Sequence, residues 1–268
     1  MAENLDKSVK CQDIQSLAES RKTTLREMEI DLLGQGLIPR HYMRNIEAIS
    51  REEQAQLLLS RVGVCGCGGL GLYVVNHLVR MGVGYITLWD PDVFSESNLN
   101  RQLWSNYNYL GVSKVEVCRQ EAAKINPAVD ITPLKSCWET NADDLLLEQD
   151  VVIDALDNIS SRLRLAEACG KNSIPLVHAA IGGWYGQITV IMPGDDTIFD
   201  IYGANNGRGL EEELGTLSFA AAFAASIQAA EAVKLILGKE SELRSKICMF
   251  DLLEPELVFL DKCNMNVT

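Results

Sequence analysis

The segment VGVCGCGGLGLYVV, residues 62–75, limits the fold of this chain more than any other. Gly66, Gly68 and Gly71 have the spacing G-x-G-x-x-G, with Gly69 inside it, between a β-branched run and an amphipathic stretch. In a strand–turn–helix unit, this spacing allows backbone N–H groups at a helix N-terminus to face a phosphate. The segment therefore predicts a nucleotide-binding turn, and the alternative is a tight strand-to-helix turn that holds no ligand.

The pattern around this turn alternates between short strands and amphipathic helices. The predicted strands cover residues 62–65, 85–89 and 151–155, and the predicted helices cover residues 70–80 and 113–125. Such alternation is typical of βαβ units that build a parallel sheet. The fold class is therefore α/β, with a Rossmann-like parallel sheet.

Closely spaced strand patterns follow Pro175. The two predicted hairpins pair residues 188–192 with 197–202, and residues 247–252 with 256–260. Each pair flanks a turn signal, so we expect antiparallel strands that extend the sheet and make it mixed. Between the hairpins, residues 218–237 are predicted to form a helix that ends at Gly238.

Helices are predicted before the first strand, because two capping-box signals occur there and no strand pattern does. Thr24 is followed three residues later by Glu27, and Ser50 is followed by Glu53. In such a box, the hydroxyl and the carboxylate each satisfy one backbone N–H at the start of a helix.

Composition excludes several classes of protein. The formal net charge of −13 argues against a broad nucleic-acid surface. The longest apolar stretch, near residues 219–237, is interrupted by Ser226, Gln228, Glu231 and Lys234, so no membrane span is predicted. The eight cysteines contain no C-x-x-C pair and are interpreted as reduced thiols. We therefore expect a soluble, cytoplasmic protein.

The loop WDPDVFSESNLNRQLW, residues 89–104, is rich in polar side chains that suit a nucleotide. It contains Asp90, Asp92, Asn98, Arg101 and Gln102. Asp90 ends a predicted strand about twenty residues after the glycines, where a carboxylate can accept hydrogen bonds from ribose, whether of NAD or of ATP. Amide and guanidinium donors suit a triphosphate better than a nicotinamide ring, so the loop favours ATP.

Lys114 occupies an unusual helix position. Ser113 and Glu116 have capping-box spacing, which makes Lys114 the first helical residue. A cation there opposes the helix macrodipole, and a local rule broken at one position points to function. The alternative is an ordinary solvent-exposed lysine.

The stretch DVVIDALDNISSR, residues 150–162, is a predicted strand followed by Asp157 and Asn158. In an open parallel sheet, ligands bind outside the carboxyl ends of the strands, so this segment should meet the glycine turn and Asp90 there. A carboxylate facing a triphosphate commonly acts through Mg²⁺, and Asp157 is the candidate ligand. Asp154 is interpreted as a buried structural carboxylate.

These motifs together resemble those of the ThiF/MoeB/HesA family, relatives of the ubiquitin-activating enzyme. The resemblance runs from about Arg44 to Asp251 and also includes GGWYGQITVIMPG and AEAVKLILG. It implies an adenylyltransferase that uses MgATP to activate the C-terminal glycine carboxylate of a small ubiquitin-like sulfur carrier ending in Gly-Gly, with release of pyrophosphate.

The resemblance also implies roles for individual residues. Gly66, Gly68 and Gly71 approach the nucleotide, Asp90 binds its ribose, Asn98, Arg101 and Lys114 hold the phosphates, Gln102 supports the loop and Asp157 places magnesium. Gly69, Asp92, Ser97 and Asn158 belong to the same nucleotide-binding motifs. Arg44 lies where the family has an arginine that reaches the partner subunit's ATP site, which implies a homodimer; the alternative is a surface arginine.

Two departures from the family narrow the chemistry. Cys248 and Cys263 are isolated, so no structural zinc is expected, because a tetrahedral site needs four ligands. Residues 203–219 contain no cysteine where some relatives have one, so a separate sulfur donor is expected; the alternative is that another cysteine of this chain serves. His41, His77 and His178 are interpreted as structural. The predicted domains are an N-terminal helical extension, residues 1–40, and an adenylation domain, residues 41–268.

Three other functions remain open from sequence. One is a peptide-modifying adenylating enzyme of the same fold, which the missing cysteine suits equally well. Another is a non-catalytic partner subunit, against which the joint presence of Arg101, Lys114 and Asp157 argues. The last is an NAD-dependent oxidoreductase, which leaves the S-N-L-N-R-Q loop unexplained.

Overall fold

The computed structural model describes residues 7–141, 146–203 and 211–262. The helices are α1 (Cys11–Arg21), α2 (Leu25–Gly34), α3 (Arg51–Leu59), α4 (Gly69–Met81), α5 (Lys114–Ile125), α6 (Ile159–Lys171), α7 (Thr197–Tyr202), α8 (Glu211–Leu214) and α9 (Ser218–Ile236). The strands are β1 (Ser8–Val9), β2 (Ile38–Pro39), β3 (Arg61–Cys65), β4 (Tyr85–Trp89), β5 (Asp130–Leu134), β6 (Val151–Asp154), β7 (Leu176–Gly182), β8 (Tyr185–Ile191), β9 (Lys246–Asp251) and β10 (Glu256–Asp261).

Eight strands form one sheet in the order β10-β9-β8-β7-β6-β3-β4-β5. Strands β3 to β7 are parallel to one another, and β8, β9 and β10 are each antiparallel to the strands they pair with. The predicted mixed α/β sheet is therefore confirmed. The chain leaves β3 first towards β4 and later returns to β6 on the other side, which opens a crevice at their carboxyl ends.

Helices cover both faces of the sheet. On one face, α4, α5 and α9 pack over the apolar side chains of the central strands. On the other, α6 and α7 pack over a second cluster that includes Trp89 and Trp138. Residues alternate between these two clusters along β3, because successive side chains of a strand point to opposite faces.

Helix α9 is an alanine-rich core helix. It is the helix of the described part of the chain that is long and apolar enough to cross a membrane, and half of its most apolar window is buried. Ala220, Ala224 and other small side chains let it pack closely against α4 and the sheet. The Gln228 amide donates to the carbonyl oxygens of Asp154 and Val177, at 2.9 and 3.1 Å, and ties α9 to β6 and β7.

The N-terminal helices form where they are predicted. Both capping boxes are present: Thr24 with Glu27 begins α2, and Ser50 with Glu53 begins α3. Helices α1 and α2 pack against each other around a small apolar cluster of their own. Arg26 is buried and donates to the Gly84 carbonyl at 2.9 Å, which ties α2 to the start of β4.

Three local predictions are wrong. Residues 197–202 form helix α7 rather than a strand, because Asp195 accepts the Thr197 N–H and starts a helix; the antiparallel partner of β8 is β7. The first forty residues do contain strands, since β1 pairs with β2, but each has only two residues. Ser113 makes no capping bond to α5, and its Oγ is buried without a hydrogen-bond partner among the described residues.

Candidate functional site

A cavity of about 560 Å³ lies at the carboxyl ends of the parallel strands. Its walls include the turns that follow β3, β4, β5 and β6. The start of α5, one residue of β7 and residue 216 also contribute to the walls. The lining includes ten of the residues singled out from sequence: Gly66, Gly68, Gly69, Asp90, Asp92, Arg101, Gln102, Lys114, Asp157 and Asn158. The predicted convergence of separate segments on one crevice is therefore observed.

The glycine turn needs glycine for steric reasons. Gly66 has φ +99°, and a Cβ there would lie 2.5 Å from the Ala155 carbonyl oxygen of the neighbouring turn. A Cβ at Gly71 would lie 1.9 Å from the Gly66 carbonyl oxygen, so this glycine allows the turn to fold against α4. Gly68 is the N-cap of α4, and no side chain caps it. The first N–H groups of α4 are therefore available to an anion at the cavity.

Asp90 is held by the glycine turn itself. Its Oδ2 accepts the Cys67 N–H at 2.6 Å, and its Oδ1 accepts the Asp92 N–H at 2.8 Å. Burial raises the pKa of Asp90 above its ordinary value, although Lys114 and the two N–H donors act in the opposite direction. Since each carboxylate oxygen has two lone pairs, Asp90 can still accept hydrogen bonds from a ligand.

Lys114 is buried, with 5% of its surface exposed, and therefore is not an ordinary surface lysine. Its Nζ lies 2.9 Å from Asp92 Oδ2, and its backbone N–H donates to the Asp92 carbonyl at 3.1 Å. It is the first residue of α5, as predicted. The ammonium thus reaches the cavity wall from the helix end that least favours a cation.

The S-N-L-N-R-Q loop supports the cavity in two different ways. Arg101 and Gln102 line it, and the Arg101 guanidinium donates to the Ser97 carbonyl at 2.9 Å. Ser97 and Asn98 do not line it: Asn98 is buried, and its Oδ1 accepts the Ser95 N–H at 2.9 Å. These two residues shape the loop that carries Arg101.

The end of β6 separates a buried carboxylate from an exposed one. Asp154 is fully buried, accepts the Leu156 N–H and lies 2.6 Å from His178 Nδ1, so its structural interpretation agrees with the geometry. Asp157 is exposed at the cavity. Asn158 is also exposed and caps α6, since its Oδ1 accepts the Ser161 N–H at 2.8 Å.

Among the cavity residues that were not predicted from sequence, Arg162 has the clearest structural role. Its guanidinium is buried and donates to the carbonyl oxygens of Leu156 and Ala179. It also pairs with Asp154 at 3.8 Å, and with His178 it holds the pKa of Asp154 below the ordinary range despite burial. The sequence did contain a signal for this role: an arginine five residues after Asp157, on the inner face of the helix that Asn158 caps.

The turn after β5 forms a wall that periodicity did not reveal. Cys137, Trp138 and Glu139 line the cavity, as does Trp89. The Glu139 carboxylate accepts from Ser161 Oγ at 2.8 Å and from Arg164 at 2.9 Å. Strand β5 contains Pro133, which argues against the interior of a strand, so the sequence does not predict a strand at residues 130–134.

Some predictions made from sequence are not tested by the described residues of a single chain. Arg44 does not line the cavity in the described part of this chain, and the role assigned to it requires a second subunit. Residues 204–210 and Cys263 lie outside the described residues. Cys248 is buried in β9. The homodimer, the separate sulfur donor and the absence of zinc therefore stay predictions, as does the division at residue 40.

Comparison with known proteins shows the family to which this chain belongs. The model of the ThiF family matches residues 42–266. The chain is 32% identical over 219 residues to the SAMP-activating enzyme E1 of Haloferax volcanii, covering 80% of this chain and 81% of that protein. It is 34% identical over 204 residues to the molybdopterin-synthase adenylyltransferase of Escherichia coli K12, covering 74% and 81%.

A solved structure agrees with the observed architecture. The crystal structure of E. coli MccB with ATP has a TM-score of 0.68 to this protein, covering 83% of this chain and 71% of that one. The two are 21% identical, so the likeness shows a shared fold. Because the family model matches most of the sequence and both named relatives align over the same region, this chain belongs to the ThiF family.

Proposed function

We propose that this protein is an ATP-dependent adenylyltransferase. Its substrate is the C-terminal glycine carboxylate of a small ubiquitin-like sulfur carrier, and it releases pyrophosphate. The observation that carries the proposal is the meeting of the glycine turn, Asp90, Lys114 and Asp157 around one cavity. The relatives named for adenylyltransferase and for E1 activity support the same reaction class.

The cavity suits ATP in shape and in charge. Its volume of about 560 Å³ falls within the range of small-molecule sites. The N-terminus of α4 offers N–H groups to phosphate oxygens, and Asp90 offers carboxylate oxygens to ribose hydroxyls. Lys114 and Arg101 supply cationic donors on the side facing the glycine turn. We therefore propose that ATP binds with its triphosphate near α5.

Asp157 is our proposed magnesium ligand. Mg²⁺ takes oxygen ligands, keeps several waters and is commonly bound by one or two carboxylates together with substrate phosphates. Asp157 is an exposed carboxylate at the cavity, and Asp154 is excluded from this role because it is buried against His178 and Arg162. When bound, magnesium supplies positive charge to the phosphate oxygens.

The residues of this chain can lower the barrier by positioning and by charge. In the reaction, a carboxylate oxygen forms a bond to the α-phosphorus while the bond to the leaving pyrophosphate oxygen breaks. Two anions must approach each other, so cations fixed at the cavity wall stabilise the transition state. Lys114 and Arg101 line the cavity and are the cations that we propose for this role. The step needs no protein nucleophile.

Four further proposals rest on sequence. The enzyme acts as a homodimer in which Arg44 reaches the partner's cavity, a separate protein donates sulfur, no zinc is bound, and the protein is cytoplasmic. The isolated Cys248 motivates the statement on zinc. Elemental analysis of the purified protein tests it, and one zinc per chain would contradict it.

Isotope exchange between radiolabelled pyrophosphate and ATP, with magnesium, tests the proposed reaction. Each candidate ubiquitin-like protein ending in Gly-Gly is compared with the same protein lacking those two residues. Exchange that requires one intact carrier would establish reversible adenylate formation and identify the substrate. Lack of exchange with every carrier, in protein shown to bind ATP, would contradict the proposal and favour the peptide-modifying or non-catalytic alternative.

A further inference from the structure

Cys11, His41 and Glu29 form a cluster far from the nucleotide cavity. Cys11 Sγ lies 3.5 Å from His41 Nδ1, and His41 Nε2 lies 3.4 Å from Glu29 Oε1. The three side chains therefore form a line in which a thiol contacts an imidazole and the imidazole contacts a carboxylate. This order of nucleophile, base and orienting group is the one that activates nucleophiles in enzymes.

The fold brings these residues together from three segments. Strands β1 and β2 pair in parallel, Ser8 opposite Ile38 and Val9 opposite Pro39, and Cys11 and His41 each come two residues after the last paired residue of their strand. Cys11 is also the first residue of α1. Glu29 comes from the inner face of α2, with 5% of its side chain exposed.

The burial of Glu29 distinguishes this cluster from a chance surface contact. Burying a carboxylate is costly unless it is paired or hydrogen-bonded. Its Oε1 faces His41, and its carboxylate also interacts with the Tyr42 hydroxyl. The charge of Glu29, added to burial, raises the pKa of the adjacent Tyr42. A buried carboxylate that faces an imidazole serves to orient that ring.

The cluster is separate from the nucleotide site. The Tyr42 hydroxyl accepts a hydrogen bond from Asn126, whose amide also contacts the Val79 carbonyl near the C-terminal end of α4. The glycine turn lies at the other end of α4, which has 13 residues and is about 20 Å long. A nucleotide bound by this chain therefore cannot contact Cys11 of the same chain.

The surface around Cys11 favours an anionic reactant. Lys7, Lys10 and Arg40 are exposed on the paired segments that carry Cys11 and His41, and Asp13 is the exposed acidic residue of the first turn of α1. This local excess of positive charge contrasts with the net charge of −13 for the whole chain. Surface charge of one sign raises the local concentration of oppositely charged reactants.

We propose that Cys11, His41 and Glu29 form a reactive-thiol site that is modified by disulfides bearing negative charge. His41 accepts the thiol proton, the Cys11 sulfur attacks one sulfur of the disulfide, and a new S–S bond forms as the old one breaks. The second sulfur leaves as a thiolate and can take the proton from His41. Cys11 is oxidised to the disulfide level, and the leaving sulfur is reduced.

The test compares Cys11 with Cys137, the other cysteine that is exposed among the described residues. Two full-length proteins are used: Cys137→Ser with Cys263→Ser leaves Cys11, and Cys11→Ser with Cys263→Ser leaves Cys137. The probe is 5,5′-dithiobis(2-nitrobenzoate), a disulfide with two carboxylates, at pH 7, and peptide mass spectrometry identifies the modified cysteine. The five remaining described cysteines are buried, and their modification gives the background rate.

We expect Cys11 to react about tenfold faster than Cys137, because its thiol has a neighbouring base. His41→Gln should slow Cys11 about tenfold and leave Cys137 unchanged. Cystamine, a disulfide with two positive charges, should show a smaller preference for Cys11, and Lys10→Gln should reduce the preference seen with the anionic probe. Equal rates for Cys11 and Cys137 in the native protein, or no effect of a folded His41→Gln variant, would overturn the proposal and leave the cluster as a structural tie.

Discussion

Lys114 Nζ and Asp92 Oδ2 lie 2.9 Å apart, and the lysine is buried while the aspartate side chain is 64% exposed. The pair therefore joins a desolvated cation at the cavity wall to a carboxylate in contact with solvent. An exposed partner is readily exchanged, because water can solvate the carboxylate after the pair separates. We infer that Lys114 is kept near the cavity by Asp92 and can be shared with, or transferred to, an incoming phosphate.

Lys114→Ala should reduce carrier-dependent pyrophosphate exchange by about 100-fold or more, since it removes a positioned cation from the transition state. The fold should remain, because Asp92 is left exposed to solvent rather than buried. Lys124→Ala is the matched control: it lies on the same helix, its side chain is 64% exposed, and it should exchange at the wild-type rate. Activity within a few-fold of wild type in Lys114→Ala would contradict the phosphate assignment.

Gly71→Ala should destabilise the protein by about 3 kcal/mol or more and prevent nucleotide binding, because its Cβ would lie 1.9 Å from the Gly66 carbonyl oxygen. Gly170→Ala provides the control, since a Cβ there has no described atom within 4 Å and alanine favours the helix by about 0.5–1 kcal/mol. Urea denaturation and ATP titration measure the two effects. A Gly71→Ala protein of wild-type stability would show that the turn is not built as described.

Arg162→Ala should reduce the free energy of unfolding by about 3–5 kcal/mol, because Asp154 would stay buried with a weakened set of partners. The carbonyl of Leu156, just before Asp157, would also lose its donor. Arg164→Ala, on the same helix with a 57% exposed side chain, should cost less than about 1 kcal/mol. Thermal and urea unfolding of both variants test this, and equal losses would refute the structural role of Arg162.

Stability should fall as the pH drops below about 6.5. Burial lowers the pKa of His178 in the folded protein, so the unfolded chain binds a proton more readily and acid favours unfolding. The low pKa of Asp154 acts in the same direction but only at more acidic pH, below its ordinary value. Unfolding free energies at pH 7.5 and 5.5 measure the effect.

His178→Gln tests the source of that pH dependence. Its stability should change less than that of the wild type between the two pH values, although its absolute stability is lower because the bond to Asp154 is altered. His77, whose pKa is also lowered by burial, should contribute to the dependence that remains. Wild-type stability that is equal at both pH values would contradict the assignment of His178 as a buried neutral group.

Local sequence determined the parts of this protein that depend on neighbouring residues. The glycine spacing after β3, the capping boxes at Thr24 and Ser50, the apolar periodicity of α4, and the alanine-rich run of α9 that ends before Gly238 were sufficient to predict these elements. The edge of the sheet where the site lies could also be predicted, because parallel strands in an open α/β sheet bring their carboxyl ends to one side. The assignment of Asp154 to the interior followed from its place within an apolar strand.

The tertiary structure decided what depends on residues far apart in the chain. Asp92 faces Lys114 across 22 positions, Arg162 reaches Ala179, and Cys11 meets His41 only because β1 pairs with β2. Residues 197–202 form a helix rather than the strand that their apolar content suggested, and the Asp195 side chain accepts the N–H of Thr197 at the start of that helix. Strand order, register and the packing of turns set these contacts, and none of them leaves a periodic signal in the sequence.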